Sequence, residues 1–188
     1  AERGAGAAVV LVLPARGHGP AMSLVMRGAA KRPDALLYLD CDVTYPPELL
    51  AGLLADLEEG GFDVVNCART RARPASMPWP NYVANRVFAG LARGVSGAPT
   101  VDVHSGMRAY RTSVIRAFCF DCEGDALPID TLLRPALAGY RVLERPIRYD
   151  ERVGDSKLRK LSGAAWSLVR IAGLLLQPRA ELRFEVRP

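Results

Sequence analysis

Lysine and histidine are scarce in this sequence. Of its 25 basic residues only Lys31, Lys157 and Lys160 are lysines, and His18 and His104 are the only histidines. Two histidines cannot build a histidine-rich metal centre, and with so few lysines the net charge of +5 rests almost wholly on arginine. Arginine grips phosphate bidentately, so the excess points to phosphorylated ligands, an anionic membrane surface or nucleic acid. No arginine-rich run or aromatic-interleaved patch resembles a nucleic-acid module, which leaves small phosphates as the favoured partner class and no nucleic acid.

Long apolar runs are also missing. Ala7 to Leu13 and Ile171 to Leu176 fall short of the roughly 18 to 20 residues that cross a bilayer. Ala1 to Gly6 has no charged segment leading into an apolar stretch and a cleavage site, so nothing marks export and the expected location is cytoplasmic, with membrane association at most peripheral. Cys41 and Cys67 lie in apolar strand-like runs and read as small core residues. Cys119 and Cys122 form a C-x-x-C without the second pair that zinc requires.

What is present is ordinary globular material: 188 residues, 49% hydrophobic and 24% charged, enough for one domain over residues 1–188 with its own core. Short apolar runs alternate with longer helical patterns, the signature of an α/β domain with a mostly parallel sheet flanked by helices. Strands are expected at Ala7–Leu13, Ala35–Leu39, Asp63–Ala68 and Thr100–Val103, with an extended stretch at Tyr140–Tyr149. Helices are expected at Pro20–Ala30, Pro47–Glu59, Asn81–Arg93, from Thr112, at Pro128–Ala138 and at Leu158–Leu176. Leu49, Leu50, Leu53, Leu54 and Leu57 recur at helical spacing as a core stripe. Arg69 to Pro80, with three prolines, reads as a ligand-facing loop.

The stretch richest in chemistry is Leu36 to Asp42, an apolar strand that ends in Asp40 and Asp42 with one residue between them. Period two puts both carboxylates on one side, and open α/β sheets bind ligands at the carboxyl ends of their strands. A divalent ion carrying a phosphate is the expected occupant.

Four blocks in this order resemble the polyprenyl-phosphate branch of the family 2 glycosyltransferases. They are Gly17-His18-Gly19 with Ala21; Leu39 to Asp42 with Tyr45-Pro46-Pro47-Glu48; Asp102 to Ala109; and Gly139 to Val142 continuing through Glu144, Pro146, Ile147, Arg152, Gly154, Ser156 and Lys157. The resemblance implies a GT-A fold, a Rossmann-like sheet that binds a nucleotide sugar. It also implies an inverting transfer of sugar from a nucleoside-diphosphate sugar to a phosphorylated acceptor, either a polyprenyl phosphate or a soluble small molecule. By motif position it assigns Asp40, Asp42 and Thr44 to Mg2+ or Mn2+, and Asp42, Arg69, Asp102 and Arg152 to catalysis. Gly17, Gly19, Asp40, Ser105, Arg108, Ser156 and Lys157 fall to ligand binding. The family's P-x-x-N-E strand and Asp-Asp-Gly-Ser-like turn have no counterpart, so the base-binding part of the family fold is expected to be missing from residues 1–188. His18 stands where the family has lysine, and Met107 where it has an aromatic residue.

That chemistry stands apart from the resemblance too. A divalent ion stabilises charge on a departing diphosphate, and an acceptor phosphate is already anionic, so arginines serve it better than a strong base. Two other readings remain open at this level. Asp40 to Thr44 also fits the D-x-D-x-T start of haloacid-dehalogenase-type phosphatases, although Arg159 stands where their later motif needs an acid. A non-catalytic, transferase-like subunit is the other. The final helix mixes Trp166, Leu168, Val169 and Ile171 with Lys160 and Arg170, a pattern that suits either an anionic membrane surface or an ordinary core-facing helix.

Overall fold

The computed structural model describes residues 22, 25–28, 35–40, 42–69, 73–75, 77–118, 127–150 and 160–176, without the side chains of 160–164 and 175. The expected strand at Ala7–Leu13 lies outside these residues, as do Cys41, Cys119 and Cys122. Of the expected helix at Pro20–Ala30, residues 22 and 25–28 are helical, and Met26 is buried in the core.

Strand β1 is Ala35–Leu39. A single 3-10 turn at Pro47–Leu49 leads into α1, Leu50–Glu58. Strand β2 is Val64–Ala68 and helix α2 is Trp79–Ser96. Then follow β3 at Met107–Arg111, α3 at Thr112–Ala117, α4 at Leu127–Leu137, β4 at Val142–Pro146 and α5 at Lys160–Leu176. Helix α2 stops at Gly97, whose φ of 69° suits a left-handed cap and whose N–H donates to the Arg93 carbonyl at 2.8 Å. The irregular stretch that leads into α2 ends at Pro78, with Pro80 in the helix's first turn, where a missing N–H costs nothing.

The sheet order is β1-β3-β2-β4. Strand β3 is antiparallel to both β1 and β2, and β2 is parallel to β4. Three of the four described strands therefore run the same way, in keeping with the expected α/β sheet, while inverted β3 sits between β1 and β2. The sequence reading put a strand at Thr100–Val103; those residues form no strand, and the strand begins four residues beyond it at Met107. Thr100 to Val103 has three β-branched residues among its four, a good local strand signal, but its polar groups turn to Glu144 instead of a ladder.

Period two divides the core into two layers. Leu36 and Tyr38 of β1, Val64 of β2, Tyr110 of β3 and Val142 of β4 face α2, α4 and α5, where Phe88, Leu132, Leu133, Ile171 and Leu174 pack. Leu37 and Leu39, Val65 and Cys67, Met107 and Ala109, and Leu143 face Leu53 and Leu57 of α1. The leucine stripe of α1 thus covers one face, as its spacing indicates. Cys67 is a core residue, and burial pushes its thiol up to about 12, so it stays protonated.

Candidate active site

The register across the sheet puts three polar residues in one row. Asn66 pairs with Arg108 on one side and with Glu144 on the other. Its amide is shared between them: Arg108 Nε donates to Asn66 Oδ1 at 2.7 Å, and Asn66 Nδ2 donates to Glu144 Oε2 at 2.9 Å and to the Asp102 carbonyl at 2.8 Å. The other oxygen of Glu144 accepts from the backbone N–H groups of Val101 at 2.7 Å and Asp102 at 3.1 Å, and from Thr100 Oγ1 at 3.5 Å. Burial raises the Glu144 carboxyl above its ordinary range, and the hydrogen bonds it accepts work against that rise. The carboxylate holds the start of the 101–106 loop against the sheet.

Asp102 uses that anchorage to bind the residue directly after β2. Its Oδ2 accepts from Arg69 Nε at 2.7 Å and from the Arg69 backbone N–H at 3.0 Å, and its Oδ1 accepts from Arg69 Nη2 at 2.9 Å. Arg69 Nη2 also donates to the His104 carbonyl at 2.9 Å, and the guanidinium lies 5.3 Å from the Tyr149 ring centre. Burial would raise the Asp102 carboxyl, but the charge and hydrogen bonds of Arg69 outweigh it and hold it below the usual carboxylate range. Of the five guanidinium N–H donors, those on Nε and Nη2 serve the protein, and among the described residues Nη1 has no hydrogen-bond partner.

Asp40 follows β1 at the same carboxyl-end side of the sheet. Its N–H donates to the Gly106 carbonyl at 2.9 Å, and a Cβ at position 106 would overlap the Asp40 carboxylate. The Gly106 N–H in turn donates to the Tyr45 hydroxyl at 2.6 Å, and the Tyr45 ring meets Tyr149 edge-on at 5.6 Å. Asp42 is held from behind: Thr44 Oγ1 donates to Asp42 Oδ1 at 2.5 Å and the Thr44 N–H does so at 3.3 Å. The intervening Val43 has a φ of 65°, a left-handed conformation that is strained for a β-branched residue and whose side chain projects to solvent. The Thr44 carbonyl accepts from the Asp150 N–H at 3.1 Å, which ties the Asp-x-Asp turn to the segment following β4.

The structure thus brings Asp40, Asp42, Arg69 and Asp102 to one end of the sheet; the sequence reading sets the two aspartates at a strand end and has Asp102 inside a strand. Three other expected ligands stand differently. Thr44 is fully buried with its hydroxyl on Asp42, so it orients that carboxylate. Ser105 is buried and bonds the Met107 N–H and carbonyl within its own turn, at 3.3 and 3.4 Å. Arg108 has no exposed surface: besides Asn66, it donates to the carbonyls of Pro128 at 2.6 Å and Val103 at 2.5 Å and to Thr131 Oγ1 at 2.9 Å. It braces α4 and the 101–106 loop from inside. Gly17, Gly19, Arg152, Ser156 and Lys157 lie outside the described residues. Sequence reasoning gave no role to Gly106, Glu144, Asn66, Tyr45 or His104. The Ser-Gly pair before β3 was a signal for a close approach, whereas nothing local marks Asn66 as the centre of a polar row.

The mixed α/β sheet, with an Asp-x-Asp turn at its carboxyl end, has the architecture of the GT-A class. The Glycosyl transferase family 2 model matches residues 6–118, and the chain belongs to that family. It is 37% identical over 167 residues to a dolichyl-phosphate hexose transferase of Haloferax volcanii, covering 89% of this chain and 72% of that protein. An undecaprenyl-phosphate mannosyltransferase of Micrococcus luteus is 31% identical over 131 residues, 66% of this chain and 53% of the relative. Among solved structures, glucosyl-3-phosphoglycerate synthase from Mycobacterium tuberculosis in complex with Mn2+, UDP-glucose and glycerol 3-phosphate superposes with a TM-score of 0.59 at 20% identity, over 89% of this chain and 58% of that one. That likeness establishes the fold. Family membership also removes the haloacid-dehalogenase-type phosphatase reading of Asp40 to Thr44.

Proposed function

We propose that this chain transfers a hexose, with inversion, from a nucleoside-diphosphate sugar to a polyprenyl phosphate. The observation that carries the reading is the meeting of the Asp40 and Asp42 turn with the Arg69–Asp102 pair at the carboxyl end of the sheet. The names of the Haloferax and Micrococcus relatives support a polyprenyl-phosphate acceptor.

The donor set suits Mg2+ or Mn2+. Asp40 and Asp42 offer hard carboxylate oxygens, and the described residues contain no cluster of three or more metal-ligating side chains. Two carboxylates plus diphosphate oxygens is a common way to hold such an ion. Gly106 keeps the space for the Asp40 carboxylate, and Thr44 fixes that of Asp42. When bound, the ion supplies Lewis-acid stabilisation of charge on the departing diphosphate. Arg69 keeps its charge beside Asp102 and offers its Nη1 edge to the acceptor phosphate, while Tyr149 covers one face of the guanidinium. The acceptor phosphate needs no general base; burial lowers His104 to about 4, and Asp102 is taken up by Arg69.

Contact with an anionic membrane surface completes the reading. No described helix is long and apolar enough to cross a membrane. Helix α5 buries Ile171 and Leu174 but leaves Trp166, Leu168, Val169 and Leu176 exposed, and α2 exposes Trp79, Val83, Val87 and Leu91 at every fourth residue. Helix α2 carries Arg86 and Arg93 and no acidic residue. Arg170, by contrast, is taken up in a bidentate pair with buried Asp130, both bonds at 2.7 Å.

The test is calorimetric titration of UDP and GDP with Mn2+ into wild-type protein and Asp42→Ala, followed by transfer assays from the matching sugar donors. The acceptor arms are a polyprenyl phosphate in anionic vesicles and soluble 3-phosphoglycerate. Metal-dependent binding lost in Asp42→Ala, with transfer to the lipid, supports the reading. Unchanged affinity in a folded variant, or transfer to the soluble acid alone, overturns it.

A further inference from the structure

The 101–106 loop carries Asp102 and Gly106, and so supports both Arg69 and Asp40. Its ends are fixed: Glu144 holds the N–H groups of Val101 and Asp102, and Tyr45 and Asp40 hold Gly106. Its middle is braced from inside by Arg108 on the Val103 carbonyl and is tied toward α5 by the side chain of His104. His104 Nε2 lies 2.9 Å from Ser167 Oγ of α5, and the imidazole meets the Phe88 ring of α2 edge-on at 5.3 Å. The carbonyl of the same residue accepts from Arg69 Nη2. We propose that His104 is a positioning residue, the joint through which α5 is seated on the Arg69–Asp102 pair, so that this helix sets how well Arg69 receives the acceptor phosphate.

The tautomer follows from burial. Nδ1 of His104 is buried without a hydrogen-bond partner among the described residues. A proton there would be an orphaned donor, so the proton sits on Nε2 and donates to Ser167. Burial keeps the ring neutral; the charge of Asp102 works against that, and those of Arg69 and Arg108 reinforce it. Among the described residues this N–H donor is the one hydrogen bond the side chain makes toward α5, which makes the joint sensitive to a single atom. Ser167 is itself buried and sits beside exposed Trp166, one of the groups assigned above to the membrane face. The inference rests on the acceptor reading given under the proposed function, and it makes His104 the link between a lipid-facing helix and the site.

The experiment compares His104→Phe, His104→Gln, Ser167→Ala and the Phe/Ala double variant in the full chain. Each is measured for KM and kcat with polyprenyl phosphate in vesicles, for UDP and GDP affinity with Mn2+, and for hydrogen exchange of the 160–176 peptide. Losing one neutral hydrogen bond predicts an acceptor KM raised about 5- to 10-fold in His104→Phe and in Ser167→Ala, with kcat and nucleotide affinity within about twofold. The double variant is expected to match either single one, and His104→Gln, which keeps an N–H donor, to recover most of the loss. Faster exchange in the 160–176 peptide accompanies both single variants. An unchanged KM in folded His104→Phe, additive effects in the double variant, or no recovery by glutamine overturns the proposal. If the wild type transfers to no lipid acceptor, the functional reading fails; unchanged exchange at 160–176 in that case overturns the joint as well, and faster exchange upholds it as the seat of α5.

Discussion

The carboxylate of Asp40 occupies the space that a side chain on Gly106 would need. Two residues far apart in sequence are thereby fitted to one another, with the Asp40 N–H on the Gly106 carbonyl as the second tie. Gly106→Ala must push the carboxylate aside or lift the loop, and an added methylene in so tight a place costs about 1–3 kcal/mol. Misplacing a group at the site by about 1 Å costs on the order of 100-fold in rate. The expected outcome is a folded variant with transfer reduced to that degree and weakened Mn2+-dependent nucleotide binding by calorimetry.

Asp102→Asn leaves the Arg69 guanidinium buried without its counter-charge. Breaking a buried pair on one side costs about 3–5 kcal/mol, much more than losing a surface pair. The side chain of Asp102 is fully buried and that of Arg69 is 12% exposed, so the larger figure class applies. Urea denaturation should register the lowered midpoint with an unchanged slope.

Glu144→Gln tests the polar row. One glutamine oxygen can keep the Val101 and Asp102 N–H groups, but its amide then faces the amide of Asn66, donor against donor. Turning Asn66 over would cost its acceptance of Arg108 Nε. The mismatch leaves one buried polar group unsatisfied, and a loss of about 1–3 kcal/mol in thermal or urea stability is expected. Glu144→Ala, which also frees the loop backbone, should lose more.

His104 gives a pH dependence of defined sign. Its pKa falls from 6.5 to about 4 on folding, chiefly by burial, so the unfolded chain binds the proton more readily between those values. Its contribution to stability is complete above about pH 6.5 and is lost as pH falls toward 4. His104→Phe should flatten that part of the stability profile, and a slope unchanged from the wild type would refute the assignment.

Much of this was legible along the chain. Ala35–Leu39 was read as a strand at its observed bounds, and the α1 leucines at helical spacing were read as core, because both patterns depend only on local period and burial of one face. The inversion of β3 was not legible. Met107–Arg111 carries two arginines in five residues, and Arg108 reads as a solvated charge until it finds Asn66, Val103, Pro128 and Thr131 around it. Thr100–Val103 looked like the strand because β-branched residues favour extended backbone wherever they occur.

The sequence by itself determined the family, through four motif blocks in order, and the two aspartates that close β1. Which of the motif's polar residues are spent on the frame came only from the folded chain. Arg69 and Arg108 are the same residue type in comparable motifs. One pairs with Asp102 and the His104 carbonyl beside the Asp40 turn, and the other is spent on carbonyls, Thr131 and an asparagine inside the protein. The difference comes from strand register and helix packing: the partners lie on the neighbouring strand and on α4, 42 and 23 residues away for the Arg108 bonds to Asn66 and Thr131, and no local pattern encodes a neighbour at that separation.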